Sequence, residues 1–208
     1  MSLRTILWSV AAILVAFVVG SVNPATIVAR LLGRDLSASG SGNPGATNAG
    51  RVLGARWGVV VGVLDVAKGL VPTYLALRWG GVHLAYVVGV AAVLGHVFSP
   101  FLRGRGGKGV ATALGAVVGV QPLFGIAMLV VFGVVVALGR WVAGASLAAA
   151  VVLVVLGVLA GAGLMGSALM PGGGWWTTAW AVVLAGIVVS RHRANILGWW
   201  RARGLAGA

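Results

Sequence analysis

The stretch VAGASLAAAVVLVVLGVLAGAGLM, Val142 to Met165, contains no charged side chain, and Ser146 is its one hydroxyl. Roughly 20 apolar residues in a helix reach across the ~30 Å hydrocarbon core of a bilayer, and a helix lets a single segment satisfy its own backbone there. A membrane span over 142–169 therefore sets the fold, and the rest of the chain repeats the pattern. Six further apolar segments lie at about 6–28, 52–77, 82–101, 110–121, 123–139 and 175–190. Composition agrees, with 60% of residues hydrophobic, 8% charged and a mean hydropathy of +1.08. The expectation is an all-α integral membrane protein with about seven transmembrane helices, forming one polytopic domain over residues 1–208. The fourth segment, closed by Gln121-Pro122, is short for a span and implies local thinning or a partly interfacial helix. The first outruns a signal-peptide core and ends at Asn23-Pro24 without a small-residue cleavage pattern, so it is expected to stay in the mature protein.

The chain carries 13 Arg and 2 Lys against Asp35 and Asp65, a formal net charge of +13. In a water-soluble chain this balance would suggest a nucleic-acid partner. Here the arginines stand in short loops between apolar segments, where they orient the protein and meet anionic headgroups, so membrane lipids are the expected partners and nucleic acid is not. Alternating loops sort the charges. One side takes Arg30, Arg34, Arg51, Arg56, Arg103, Arg105, Lys108, Arg140, Arg191, Arg193, Arg201 and Arg203, and the other takes Arg4 and Arg78. The positive-inside rule then puts the N-terminus outside and the C-terminus in the cytoplasm. The absence of cysteine excludes a disulfide framework and a thiolate metal site.

Three polar clusters fall on the basic side. The first, around SGSGNPGATN (Ser39–Asn48) and continuing to Arg51, offers Ser41, Gly42, Asn43, Gly45, Thr47 and Asn48 about a Pro44-Gly45 turn. The following span is expected to begin with free amides beside Arg51, an arrangement suited to an anion. The second, GRGGKGVAT (Gly104–Thr112), contains G-x-G-x-x-G without the strand and βαβ unit that would make it a dinucleotide fingerprint, and it lacks the spacing of a Walker loop. What remains is Gly106, Gly107 and Gly109 exposing amides beside Lys108 at a helix start, a cradle for phosphate. The third, SRHRAN (Ser190–Asn195), puts His192 and Asn195 three residues apart, on one face of a continuing helix. Trp199, Trp200 and Arg201 beyond it read as an interfacial anchor. Asp65 and Lys68 sit one turn apart inside the second span and are expected to pair. His96 ends the third span near the glycine loop, and Ser146 opens the sixth, where bonding back to its own helix is the simplest expectation. Together the clusters describe an electropositive pocket at the membrane surface for phosphorylated ligands, with no carboxylate among them. No metal is expected, because a divalent cation would need such carboxylates, and no cofactor is expected.

The blocks GSGNPGATNAGR (40–51), LDVAKG (64–69), GHVFSPFLRGRGGKGVATALG (95–115) and RHRANI (191–196), in that order, resemble the PlsY family of bacterial acyl-phosphate:glycerol-3-phosphate acyltransferases over nearly the whole chain. The resemblance implies transfer of a fatty acyl group from acyl phosphate to the 1-hydroxyl of sn-glycerol 3-phosphate, giving lysophosphatidic acid and phosphate. It also implies a seven-span protein of the bacterial inner membrane with its active site facing the cytoplasm. Carried over by motif, the catalytic candidates are Ser41, Arg51, Lys108, His192 and Asn195, with Gly42, Asn43, Gly45, Thr47, Asn48, His96, Gly106, Gly107, Gly109 and Ser146 as substrate-binding candidates. Two departures stand out: Ala194 occupies a position that is commonly Glu in the family, and Ala143 one that is often Ser.

An activated mixed anhydride with a good leaving group asks the protein chiefly to hold two anions together and stabilise an oxyanion. No Ser-His-Asp set is expected, because both Asp residues lie outside the clusters. The attacking hydroxyl would lose its proton to His192 or to the acyl phosphate itself. A transporter for organic phosphates is the alternative. It would want polar groups at the midplane and on both faces, whereas Asp65 and Lys68 are the one deep pair and the outer face is nearly bare.

Overall fold

The computed structural model describes residues 2–139, 141–166 and 174–202, so Arg140, Arg203 and positions 167–169 of the sixth apolar segment lie outside the described residues. The chain there is helical: α1 (Leu3–Ser21), α2 (Pro24–Leu31), α3 (Ala46–Leu53), α4 (Ala55–Val97), a 3-10 turn (Pro100–Leu102), α5 (Val110–Val120), α6 (Pro122–Gly139), α7 (Val142–Gly161), α8 (Trp175–Arg191) and α9 (Arg193–Ala202). All seven apolar segments fall on helices, two of them on successive arms of α4. Four stretches are long and apolar enough to cross a membrane: Leu3–Leu31, Ala55–Leu102, Pro122–Gly139 and Val142–Gly161. α5 and α8 are apolar but shorter.

The breaks differ from the sequence expectation in places that matter for the site. The first apolar segment is not one helix to residue 28. Pro24 lacks an amide and holds Asn23 extended (φ −110°, ψ 100°), so α1 stops at Ser21, and Asn23 Oδ1 accepts the Thr26 amide at 2.8 Å to start α2. The second span does not begin at 52. Residues 46–53 form the separate short helix α3, and Gly54 (φ 99°, ψ 155°), in a conformation that side chains resist, turns the chain into α4. Gly81 (φ 81°, ψ 177°) divides α4 into arms 55–80 and 82–97 for the same reason.

The arms pack against α1 and α5 with their main chains in near contact. A Cβ on Gly69 would collide with the Thr112 carbonyl and one on Gly115 with the Val66 carbonyl, which locks the first arm to α5. Gly20 stands in the same relation to Ala92, and Gly95 to Phe17, between α1 and the second arm. With lipid as apolar as Leu, such helices are held by close van der Waals packing, which small residues permit. Outward faces are aliphatic, with Leu7, Val15, Val130 and Val134 exposed as lipid contact requires. On the far side, Tyr86 stacks on Trp180 (4.6 Å between centroids) and its hydroxyl lies 2.8 Å from Thr177 Oγ1, joining α4 to α8.

Adding one methyl group separates the two kinds of glycine. Gly69→Ala is expected to destabilise by about 1–3 kcal/mol, as overpacking does. Gly133→Ala, with no neighbour within 4 Å, is expected to be neutral or stabilising by up to about 1 kcal/mol. Thermal unfolding in detergent measures both, and equal midpoints would contradict the packing.

Candidate active site

A cavity of about 460 Å³ opens where α3, α4, α5, α6, α7 and the start of α9 meet. Its polar lining, the pole of the cavity, includes Ser41, Thr47, Arg51, Asp65, His96, Lys108, His192 and Asn195. Its apolar lining includes Leu114 of α5, Met128, Leu129 and Phe132 of α6, and Trp141, Val142 and Ala143 at the start of α7.

The loop bearing Ser41 is built from its own polar atoms. Asp35 Oδ1 accepts the Ser37 amide (2.8 Å) and hydroxyl (2.7 Å), which holds its carboxyl below the usual range. The buried Asn48 carboxamide then ties the loop down, accepting the Ser41 amide at 2.8 Å and donating to the carbonyls of Ser39 (3.0 Å) and Leu36 (3.3 Å). Gly42, at φ +69°, bends the turn without lining the cavity. Asn43, Gly45, Thr47 and Asn48 all line it. Gly45 rather than Thr47 or Asn48 is the N-cap of α3. Arg51 sits in the last turn of that helix, at the negative end of its dipole, so it does not stand beside the N-terminus of its own helix as the sequence suggested.

The glycine loop works differently from the expected cradle. The Gly106 amide donates to Val97 O (3.0 Å) and the Gly107 amide to His96 O (3.1 Å), and neither residue lines the cavity. Their want of a side chain is steric, since a Cβ on Gly106 would strike the His96 carbonyl and one on Gly107 the His96 ring. Gly109 (φ +80°) N-caps α5 and does line the cavity, as do Val110 and Ala111, whose amides have no carbonyl one turn back to bond. The dipole end of α5 therefore adjoins the polar pole.

Lys108 Nζ donates to Asn195 Oδ1 at 2.9 Å. Burial pushes its ammonium below the ordinary lysine range, and the nearby Arg51 and Arg191 guanidinium groups push it further. α8 does not continue through His192, which is its C-cap (φ −95°, ψ 2°) and leads into α9, yet His192 and Asn195 still reach the same cavity. His192 Nδ1 lies 2.8 Å from the Val188 carbonyl, which can only accept, so the proton sits on Nδ1 and Nε2 carries the lone pair. Burial lowers the His192 pKa; the Val188 bond opposes this and Lys108 adds to it. The imidazole is therefore neutral at pH 7. Ser146 bonds back to Val142 O (2.9 Å) while lining the cavity.

Sequence reasoning missed three elements. Asp65, set aside as a structural residue, does pair with Lys68 (3.0 Å) but also lines the cavity and lies 3.4 Å from His96 Nδ1, so the pole is not free of carboxylate. Arg191 donates to Gly106 O (3.2 Å) and belongs to the pole's field; its place in RHRAN was the available signal. The apolar wall had none, because its residue types match the lipid-facing ones.

A family model described as "Glycerol-3-phosphate acyltransferase" matches residues 10–202. The chain belongs to that family. A glycerol-3-phosphate acyltransferase of Geotalea daltonii is 37% identical over 183 residues, 87% of this chain and 88% of the relative. Two crystal structures of PlsY (YgiH), an integral membrane glycerol 3-phosphate acyltransferase, share the fold. Its glycerol 3-phosphate form aligns with a TM-score of 0.84 at 33% identity, and its lysophosphatidic acid form with 0.81 at 32%; each covers 95% of this chain and 93% of the other. The protein is thus an all-helical integral membrane member of the glycerol-3-phosphate acyltransferase family.

Because the Lys108 pKa is lowered, its charge is lost as pH rises at an earlier point than for an ordinary lysine, and anion binding should weaken there too. Asn195→Asp puts a carboxylate on Nζ, which raises that pKa and neutralises the cation. Sulfate, whose charge is constant with pH, serves as the probe. The variant is expected to bind it about tenfold more weakly near neutrality, with the alkaline loss of binding moved to higher pH. An unmoved alkaline limb would contradict the Lys108–Asn195 assignment.

Proposed function

We propose that this protein transfers a fatty acyl group from acyl phosphate to the 1-hydroxyl of sn-glycerol 3-phosphate, giving lysophosphatidic acid and inorganic phosphate for phospholipid synthesis. The observation that carries this reading is the mixed lining of one cavity. A pole of Arg51, Lys108, Arg191 and the α5 amides suits phosphate, and the same cavity has apolar residues of α6 and α7 in its lining that suit an alkyl chain. The family's substrate and the glycerol 3-phosphate and lysophosphatidic acid forms of its solved relative support the same assignment.

In this reading the hydroxyl oxygen attacks the acyl carbonyl carbon, the bond from that carbon to the bridging oxygen breaks, and phosphate leaves with that oxygen. The hydroxyl proton passes to His192 Nε2 or to a phosphate oxygen of the donor. In the same reading Arg51, Lys108 and the α5 amides hold the anions, Ser41, which lines the same cavity, is the donor for the oxyanion, and Asn195 steers Lys108. Of the substrate-binding candidates, Gly45, Thr47, Asn43, Asn48, His96, Gly109 and Ser146 face the cavity, whereas Gly42, Gly106 and Gly107 act through backbone shape.

Purified protein given acyl phosphate and glycerol 3-phosphate should release phosphate and form lysophosphatidate, and acyl-CoA should not replace the donor. Equal turnover with acyl-CoA would refute the donor. Arg51→Lys and Lys108→Ala should each lower kcat/KM at least about tenfold, because a bidentate guanidinium and a charge-assisted contact are worth about 1.5–3 kcal/mol. The exposed Arg201, replaced by Ala, should change it less than about threefold. Loss at Arg201 equal to that at Lys108 would misplace the pole.

The same reading places the protein in the bacterial inner membrane as one polytopic domain of seven spans, with the pole cytoplasmic, the N-terminus outside and the C-terminus inside. The chain has no cysteine, so single cysteines at Ser2 and Arg201 report topology cleanly. An impermeant maleimide should label the first from outside and the second only from the cytoplasmic face. Labelling of both from one side would refute seven spans.

A further inference from the structure

Asp65 and Lys68 form an ion pair within the first arm of α4, with the residues only 2% and 7% exposed. Stability alone is a weak reason for such a pair. Desolvation offsets most of the attraction, and apolar residues of similar volume commonly do as well. What the fold needs of the pair is the Lys68 donor, which Nζ gives to the Val22 carbonyl at 2.8 Å; the carboxylate has no part in that bond, and Gly69 against Thr112 and Gly115 against Val66 already fix the arm to α5 through main-chain contact.

What the carboxylate does reach is the lysine loop. Asp65 Oδ1 faces His96 Nδ1 at 3.4 Å across the two arms of α4. The other edge of that ring lies on Gly107, where a Cβ would collide with Nε2. The His96 carbonyl accepts the Gly107 amide at 3.1 Å, and the next carbonyl, of Val97, accepts the Gly106 amide at 3.0 Å. The residue after Gly107 is Lys108, whose Nζ enters the cavity. An unbroken series of contacts thus runs from Asp65 through the His96 ring and main chain to the segment that aims Lys108.

We propose that Asp65 is a positioning residue that, through His96, sets the Gly106–Lys108 loop so that Lys108 meets the phosphate of glycerol 3-phosphate. This rests on the cavity binding that substrate, but not on the identity of the acyl donor. Charge gives the idea a sign. Removing Asp65 alone should tighten phosphate binding by Coulomb's law, and removing the closely paired Asp65 and Lys68 charges together leaves the net charge as it was, so a loss of affinity requires a geometric cause.

The test is glycerol 3-phosphate affinity by titration calorimetry on detergent-purified protein, with unfolding midpoints alongside. Asp65→Asn combined with Lys68→Gln removes both charges, leaving net charge unchanged and no orphaned ammonium, while the new carboxamide remains a donor for the Val22 carbonyl. This double variant is expected to unfold within a few degrees of wild type yet bind about tenfold more weakly. In a Lys108→Ala background the same pair should cost less than about threefold, because its effect runs through Lys108. Wild-type affinity in the double variant, or costs that multiply in the Lys108→Ala background, would overturn the proposal. Should the double variant not fold, His96→Asn keeps the ion pair and carries the same expected coupling to Lys108→Ala. A wild-type protein that does not bind glycerol 3-phosphate would refute the reading of the cavity and this proposal together, whereas failure to turn over acyl phosphate would refute the donor alone.

Discussion

Lys68 Nζ donates to the carbonyl of Val22 at 2.8 Å, and much of the architecture depends on the need it meets. A helix that stops inside an apolar medium leaves carbonyls with no water to bond, and each must find a donor within the protein. α1 stops in this way because Pro24 follows. Lys68 takes the Val22 carbonyl, and Ser99 Oγ takes that of Ser21 at 2.7 Å. With the end of α1 closed, Asn23 is free to donate to Pro44 O (2.9 Å), which sets the entry to α3 and so the position of Arg51. The polar layer below the cavity is thus the condition under which the chain can break its helices at membrane depth and build a site from the breaks.

Main-chain contact between helices supplies the complementary half of the design. Where Gly69, Gly115, Gly20 and Gly95 allow backbones to touch, helix positions are fixed by atoms that have no rotamers to explore. Side chains projecting into the cavity can then be short of mutual support without losing register. Lys108 needs one partner, Asn195, and His192 one carbonyl, that of Val188.

The fold was legible because apolar length is a one-dimensional property, and among the described residues each apolar segment identified in the sequence is largely helical. The candidate site was legible as three clusters because polar residues are scarce in this chain, so their mere presence between spans is informative. Tertiary backbone pairing was not legible. Gly106 and Gly107 looked like free amides, and only the approach of His96 and Val97 shows those amides already used. Asp65 was read as a local pair at i, i+3 because the sequence carries no sign that an arm ending fifteen residues later would fold His96 back upon it. The wall formed by Met128, Leu129 and Phe132 is indistinguishable in composition from the lipid-facing side of the same helix, so no sequence pattern could single it out.

The loops that supply cavity residues also carry exposed arginines: Arg34 beside the Ser41 turn, Arg103 and Arg105 before Lys108, and Arg193 and Arg201 on α9. On the side proposed as cytoplasmic these charges face a membrane surface potential near −30 mV, set by anionic lipids. A dianion approaching that surface is disfavoured by about 1.4 kcal/mol, which thins its concentration there roughly tenfold. Exposed cations on the segments that build the pocket oppose that potential locally. The protein thereby carries its own counter-potential, and a water-soluble anion can arrive by diffusion at a surface that otherwise repels it.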